Sequence, residues 1–455
     1  MDYYENKRYE IADYLIQEKN FGEPVHITKY AHLVTVVLDG NKEKKIWTKA
    51  LNVALEENEH VYFPEGEYYI DHSIVLTSNR KISAHENAVI SITKGMSLVA
   101  VRTNCVYDGS VVELNESLPR TKNIHLEGGV WTTEFEKRAI YGKQGIIDEN
   151  DSMHGVHAFM LFSGIENLWV KNIVFRRTAT FAIQLGRVKN FLIENLTLED
   201  CFADGVHVNG QTENGVICNI KGETGDDLIA LNAYDWDNSS INFGCIKDVD
   251  IFNIECLGGF AKCMRILPGV TAENKGNINC YIKNVCISNI KGVQTFKLYL
   301  QTPSYVGEPD GTKVGYIDNI LIENITVCKN YVSDYTYIHN KKIPDYFGVF
   351  ELSSNIKKIT LKNINATIDV KDYSELANLI AIGPKSCYVN DRNLEVFDPY
   401  VNSVCEVIEY DNVKVNGIDI DDLNSVINFI KHEKPYEAKM PFGKGELKKV
   451  VKLQN

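Results

Sequence analysis

Proline is scarce. The chain carries 11 prolines in 455 residues, and they do not cluster with its 31 glycines into anything resembling a linker. That argues against cutting it into the about three domains its length would otherwise suggest at ~150 residues each. Long apolar runs are missing as well. No uncharged stretch approaches the ~18 residues of a transmembrane helix. The opening segment, MDYYENKRYEIADYLIQEKN, is charged throughout and has no apolar core of a secretory signal. The 11 cysteines include no CxxC pair, which removes the common zinc and redox patterns. Cys218, Cys256, Cys286 and Cys328 fall in or just after strand-like segments, and read as a reduced, buried thiol ladder in a cytoplasmic protein. Positive charge is in deficit, 48 Lys and Arg against 61 Asp and Glu, a net −13. This disfavours nucleic acid, acidic membranes and long polyanions as partners, while leaving room for a local basic pocket. Phosphate-loop, dinucleotide, HExxH and GxSxG motifs are absent. His154 and His157 lack a third ligand at metal-site spacing, so they read as loop or substrate contacts, and no metal or cofactor is expected.

What the chain does have is asparagine, 43 of them, in a composition that is 44% hydrophobic. Asparagine tolerates left-handed backbone and favours turns. Here it is periodic. The phrases NLWVKNIVF (167–175), NFLIENLTL (190–198) and NGVICNIKG (214–222) return as DVDIFNIECL, NCYIKNVCIS, IDNILIENITV and IKKITLKNINA, with a weaker DNVKVNGIDI last. Each is a short alternating strand, a central Asn, then a second strand. The central residues are Asn172, Asn195, Asn219, Asn253, Asn284, Asn324 and Asn363, first at a period of 23 to 24 residues and later with loops inserted. Leucine-rich or βαβ repeats need a helix in each unit, and segments such as RRTATFAIQLGRVKN show no 3.6-residue pattern. The pattern predicts an all-β, single-stranded solenoid, a right-handed parallel β-helix whose coils stack at the ~4.8 Å strand spacing.

Solenoid ends need cover. In KIWTKALNVALEEN, Trp47, Leu51, Ala54 and Leu55 share a helical face, which predicts an N-terminal capping helix. A strand broken at Pro64-Glu65-Gly66 follows. An earlier helix is expected with Ile11, Leu15 and Ile16 on one side, for capping or oligomer contact. The organisation is then a helical segment and cap (1–60), the β-helix with inserted loops (61–420) and a C-terminal tail (421–455). SELANLIAI reads as a short helix and the lysine-rich tail as irregular.

The chemistry concentrates in FADGVHVNGQTENGVICNIKGETGDDLIALNAYDW (202–236). Asp204 stands 22 residues before Asp226, about one coil, and Asp227 follows at once. Three carboxylates thus stack on one outer face. Like charges raise each other's pKa, so a structural protein gains little from the pile-up, whereas an enzyme can keep one carboxyl protonated beside ionised partners. His207 and Asn209 share the strand of Asp204, and Gln184 lies one coil above; these, with His157, are candidate sugar contacts. Trp236 and Tyr299 supply aromatic faces of the kind that stack on sugar rings. Lys262, Arg265 and Lys297 offer positive charge from the next two coils.

On these residues the sequence resembles the polygalacturonases, family 28 of the glycoside hydrolases, clearest over about 120–300. That family carries Asn-Thr-Asp-Gly, then Gly-Asp-Asp about one coil later, then Gly-His-Gly and Arg-Ile-Lys. Phe202-Ala203-Asp204-Gly205 matches the first motif at Asp and Gly; Gly225-Asp226-Asp227 matches the second in full. The resemblance implies Asp226 as general acid, with Asp204 and Asp227 activating the attacking water and inverting the anomeric carbon. The later motifs depart. Lys262 stands where the family has His, and Lys297 and Tyr299 stand roughly where it has the basic pair that grips a substrate carboxylate. This puts galacturonate in doubt, although Lys262, Arg265 and Lys297 could rebuild an acid-binding pocket.

The leading expectation is a cytoplasmic inverting glycoside hydrolase acting on an oligosaccharide, uronic-acid containing or not. Long insertions after the acidic coils suggest walls that close one end, hence exo action. The rivals are a lyase on the same fold, with Arg265, Lys262 or Lys297 as base, and a non-catalytic carbohydrate-binding β-helix. Oligomeric state stays open, and a homo-oligomer is compatible with the sequence.

Overall fold

In the computed structural model the described residues are 2–93, 99–103, 119–139, 156–234, 241–259, 262–270, 278–299, 315–330, 335–338, 341–344, 348–370, 377–383, 403–429, 431–432 and 443–454. The fold is a parallel β-helix, as the asparagine period predicts. Two compact units make it up. One is Met1–Val208 with Thr212–Gly225 and Asp237–Asn242; the other is Asn209–Gln211 with Asp226–Trp236 and Phe243–Asn455. Among the described residues no helix is long and apolar enough to cross a membrane.

In the first unit a coil presents three short strand faces. The strands Ala158–Lys171 and Phe181–Cys201 pair in parallel, with Leu161 beside Gln184, Trp169 beside Leu192 and, through Val174–Arg176, Phe175 beside Leu198. Alternation sends Phe159, Phe175, Phe191, Leu196 and Leu198 into the interior, where each is essentially fully buried. Each such side chain contributes roughly 1.5–3 kcal/mol of burial. Gly215 stands where a Cβ would meet the Phe191 ring at 2.1 Å, so only glycine lets that ring lie across the next coil.

The bends are asparagines with positive φ, as expected: Asn172, Asn195, Asn219, Asn253, Asn284, Asn324 and Asn363 all lie between 51° and 58°. The bends, however, form two such rows rather than one, and several coils carry a residue of each. The first row of the first unit is Asn79, Asn123, Asn167, Asn190 and Asn214, each amide donating to its predecessor. The second joins Asn195 to Asn172 at 3.0 Å. In the second unit Asn284 donates to Asp248 and so belongs to the first row, while Asn289 is the residue that donates to Asn253. The sequence expectation put Asn284 in the wrong row. The recurring spacing Asn-x4-Asn makes the two rows interchangeable by eye, and only strand register separates them.

A left-handed residue with a Cβ costs roughly 1–2 kcal/mol unless its side chain compensates. Asn195 is exposed, so Asn195→Ala is expected to lower unfolding free energy by about 1–2 kcal/mol, with Asn195→Gly losing less, as read by urea denaturation.

The capping helix forms as Thr48–Glu57 (α2), with Leu51, Ala54 and Leu55 buried, and the strand does break, into His60–Phe63 and Gly66–Ile70. The earlier helix, Tyr3–Glu18 (α1), buries Tyr4, Ile11 and Leu15 but leaves Ile16 49% exposed, so Tyr4 rather than Ile16 completes its apolar side. It lies along the flank of the coils. Arg8 Nε donates to Glu194 Oε2 at 2.6 Å, Trp169 Nε1 donates to Glu194 Oε1 at 2.9 Å, and Asn190 reaches Tyr14 at 3.2 Å. An antiparallel hairpin, Thr35–Asp39 with Lys42–Ile46, was not expected.

Three further expectations are corrected. Residues 378–382 of SELANLIAI are a strand in parallel register with Gly348–Ser353, an apolar run buried from Leu379 to Ile382. Gly443–Lys452 of the tail is also a strand, paired in parallel with Ser403–Val415. The cysteines form no uniform ladder: Cys218 and Cys256 are buried, Cys286 is intermediate and Cys328 is exposed. Cys286 stands in register with Asp250 and Leu321, not with another thiol.

His125 is packed between Phe21 and Trp169, with ring centroids at 4.8 and 5.4 Å. Burial, helped by Lys81 and Lys171, pushes its imidazole from 6.5 down to about 3. Its folded state therefore binds fewer protons than its unfolded state between those values. Its contribution to stability is complete above pH 6.5 and is lost as pH falls through that window, at about 1.4 kcal/mol per pH unit. Urea titrations at pH 7 and pH 5 should show wild type losing more stability than His125→Phe.

Candidate functional site

In each unit one strand of the coil carries a register row whose members are mostly polar. In the first unit Arg102, Leu161, Gln184 and His207 stand in register on it. In the second unit the row is Ala230, Arg265, Lys297 and Glu351. Period-2 alternation keeps Ile183 and Leu185, or Met264 and Ile266, in the core while the central residue of each triplet faces outward from it.

In the first unit Asp204 is 1% exposed and its Oδ2 lies 2.7 Å from His207 Nδ1. His207 is fully buried and stacks on Phe181 at a centroid distance of 4.0 Å and an interplanar angle of 6°. Among the described residues Asp204 Oδ1 has no hydrogen-bond partner. The stacked ring fixes the imidazole, and the imidazole fixes the carboxylate. His157 is buried too. Its backbone N–H donates to Gln184 Oε1 at 2.9 Å, and its ring meets Phe181 edge-on at 4.8 Å. Gln184 is therefore committed in part to holding the strand that precedes it.

In the second unit Asp226 and Asp227 are neighbours in sequence but not in environment. The Asp227 side chain is fully buried, paired with Arg265 Nη2 and 3.3 Å from Lys297 Nζ. Asp226 retains 23% side-chain exposure, and its Oδ1 is 3.3 Å from the same Arg265 Nη2. Lys297 is itself 1% exposed. Two cations thus balance the buried carboxylate, and the other carboxylate remains open to solvent. Asn209 donates to the Asn232 carbonyl at 3.3 Å. Lys262 stands outside the row, at a left-handed bend with φ of 50°, its carbonyl accepting from Gln294 N. Tyr299 closes the strand Thr295–Tyr299, in register with Ser353. Trp236 lies outside the described residues.

Glu351 was missed by the sequence reading. It is 3% exposed and follows Lys297 in the row, and Gly348 N donates to its Oε1 at 2.5 Å. The signal was present: Met-Arg-Ile, Phe-Lys-Leu and Phe-Glu-Leu are the same triplet with only the central charge changed.

No family model and no curated protein matches the chain. Solved structures do. The N-terminal fragment of gene product 12 of bacteriophage phi29 matches with a TM-score of 0.53 at 14% identity, over 90% of this chain and 67% of that one. At that identity the likeness is one of fold. A hyperthermoactive exopolygalacturonase from Thermotoga maritima matches with a TM-score of 0.49 at 12% identity, over 99% and 96%. The surface adhesin PfbA of Streptococcus pneumoniae matches with a TM-score of 0.41 at 14% identity, over 94% and 91%.

Proposed function

We propose that the chain is an inverting glycoside hydrolase that cleaves an oligosaccharide from one end. The observation that carries this reading is the asymmetry of the Asp226–Asp227 pair. Two adjacent carboxylates, one sealed between Arg265 and Lys297 and one open to solvent, are suited to different tasks. Pairs of titratable groups in contrasting surroundings are how one site runs acid and base chemistry together.

In this reading Asp226 gives its proton to the glycosidic oxygen as the bond to the anomeric carbon breaks. A water attacks that carbon from the opposite side, and its proton passes to a carboxylate. Asp204 is assigned that role with Asp227, on the one-coil spacing between Asp204 and Asp226 and on the motif resemblance. His207, held by Phe181, keeps Asp204 oriented. Elimination is less well supported, because Arg265 and Lys297 are both turned to Asp227 and neither is placed as a base. Placement of Asp226 and Asp227 in a charged setting also favours turnover over passive binding.

The test is a panel of natural and chromogenic oligosaccharides followed by proton NMR. The reading expects the first-formed product to have the opposite anomeric configuration to the substrate. A retained anomer, an unsaturated product or release of internal fragments from a long polymer would each remove part of it.

A further inference from the structure

A cavity of about 550 Å³ lies within the first unit and uses none of the carboxylates above. Its lining comes from the ends of the Thr35–Ile46 hairpin, from the first half of α2, from the stretch after the Gly66–Ile70 strand, and from Arg102. Lys49 and Arg102 bring positive charge. Asp71 is the carboxylate among the described lining residues, and it is already engaged. Thr48 Oγ1 donates to Asp71 Oδ1 at 2.6 Å, and His72 Nδ1 lies 3.1 Å from the same oxygen. In a chain with a net charge of −13 this is, among the described residues, a local excess of positive charge, and it favours an anion.

The rest of the lining sets the anion's size and kind. Asn52 offers an amide that both donates and accepts, which suits a ligand bearing hydroxyls. Val53 and Val75 add an apolar wall against which a ring can lie. Arg102 also belongs to the outward row that continues through Leu161 and Gln184 to His207. Three strand steps separate Arg102 from His207, roughly 14 Å at the ~4.8 Å spacing.

We propose that this cavity binds an anionic monosaccharide unit, with its carboxylate or phosphate group held by Arg102 and Lys49. The choice of a sugar rests on the hydrolase reading, but the binding needs no bond to be cleaved and is measured without turnover.

Isothermal titration of the full chain with glucuronate, glucose 6-phosphate, glucose and inorganic phosphate tests it. One of the two anionic sugars is expected to bind, and which one reports whether the group recognised is a carboxylate or a phosphate. Lys49→Gln and Arg102→Gln should each weaken that binding by about tenfold or more, the loss of one charge-assisted contact. Lys49 is exposed on α2, so its variant stays folded, which circular dichroism verifies. The proposal is overturned if neither anionic sugar binds, if glucose binds as tightly, if inorganic phosphate matches the sugar phosphate, or if both variants bind like wild type. An inactive but anionic-sugar-binding protein would sink the hydrolase reading alone.

Discussion

Asp226→Asn should reduce turnover of an unactivated oligosaccharide by about 10²–10⁴-fold while leaving ligand binding nearly unchanged, the range expected when a positioned general acid is removed. An amide matches the carboxyl group in shape and can still meet Arg265, but it has no proton to give to a leaving oxygen. The loss should shrink for substrates whose leaving group departs without protonation, such as nitrophenyl glycosides. Because Asp226 is partly exposed, the variant should melt close to wild type. Turnover, ligand binding and melting measured on the same preparation decide the matter. A variant that keeps more than a tenth of wild-type turnover on the natural substrate would transfer the acid role elsewhere.

Arg265→Met is expected to be the most damaging change to stability. It removes the closer of two cations from Asp227, whose side chain has no exposed surface. Breaking a buried ion pair by deleting one partner costs about 3–5 kcal/mol, since the remaining charge stays in a poorly solvating place. Pairing the change with Asp227→Asn removes that charge as well, and the double variant should recover a large part of the loss in urea denaturation. If the single variant loses less than about 1 kcal/mol, the pair is effectively solvated and the argument for a sealed carboxylate fails.

The coils were legible because their bends are chemically marked. A left-handed residue is costly unless it is Gly, Asn or Asp, so Asn172, Asn195 and Asn219 announce the period directly. The assignment of Asn284 failed where Asn289 succeeds, because composition marks a bend without saying to which row it belongs. The acidic residues were legible for the same reason: Asp204 and Asp226 are one period apart. Their surroundings were not. That His207 stacks on Phe181 and turns to Asp204, or that Lys297 is sealed against Asp227, depends on which neighbour a side chain meets within a face. A one-letter pattern records the face and not the neighbour. The hairpin Thr35–Ile46 was hidden because it lies outside the repeat, and the 443–452 strand because lysines occupy its solvent side.

The two rows, asparagine at every position but Asp248, keep a fixed interval in every coil where both are present: 167 with 172, 190 with 195, 214 with 219, 248 with 253, 284 with 289 and 319 with 324. The coils themselves vary in length, from 23 residues between Asn172 and Asn195 to 49 between Asn363 and Asn412. All of that variation is thus taken up outside the interval. The paired rows act as a ruler that leaves the remainder of each coil free to be rewritten. A lineage built on this plan can lengthen, trim or exchange the segments outside the interval by a dozen residues or more without re-registering the stack, whereas a single codon gained between Asn190 and Asn195 would throw two faces out of alignment. Loop content and structural integrity are in this way written into separable stretches of the same gene.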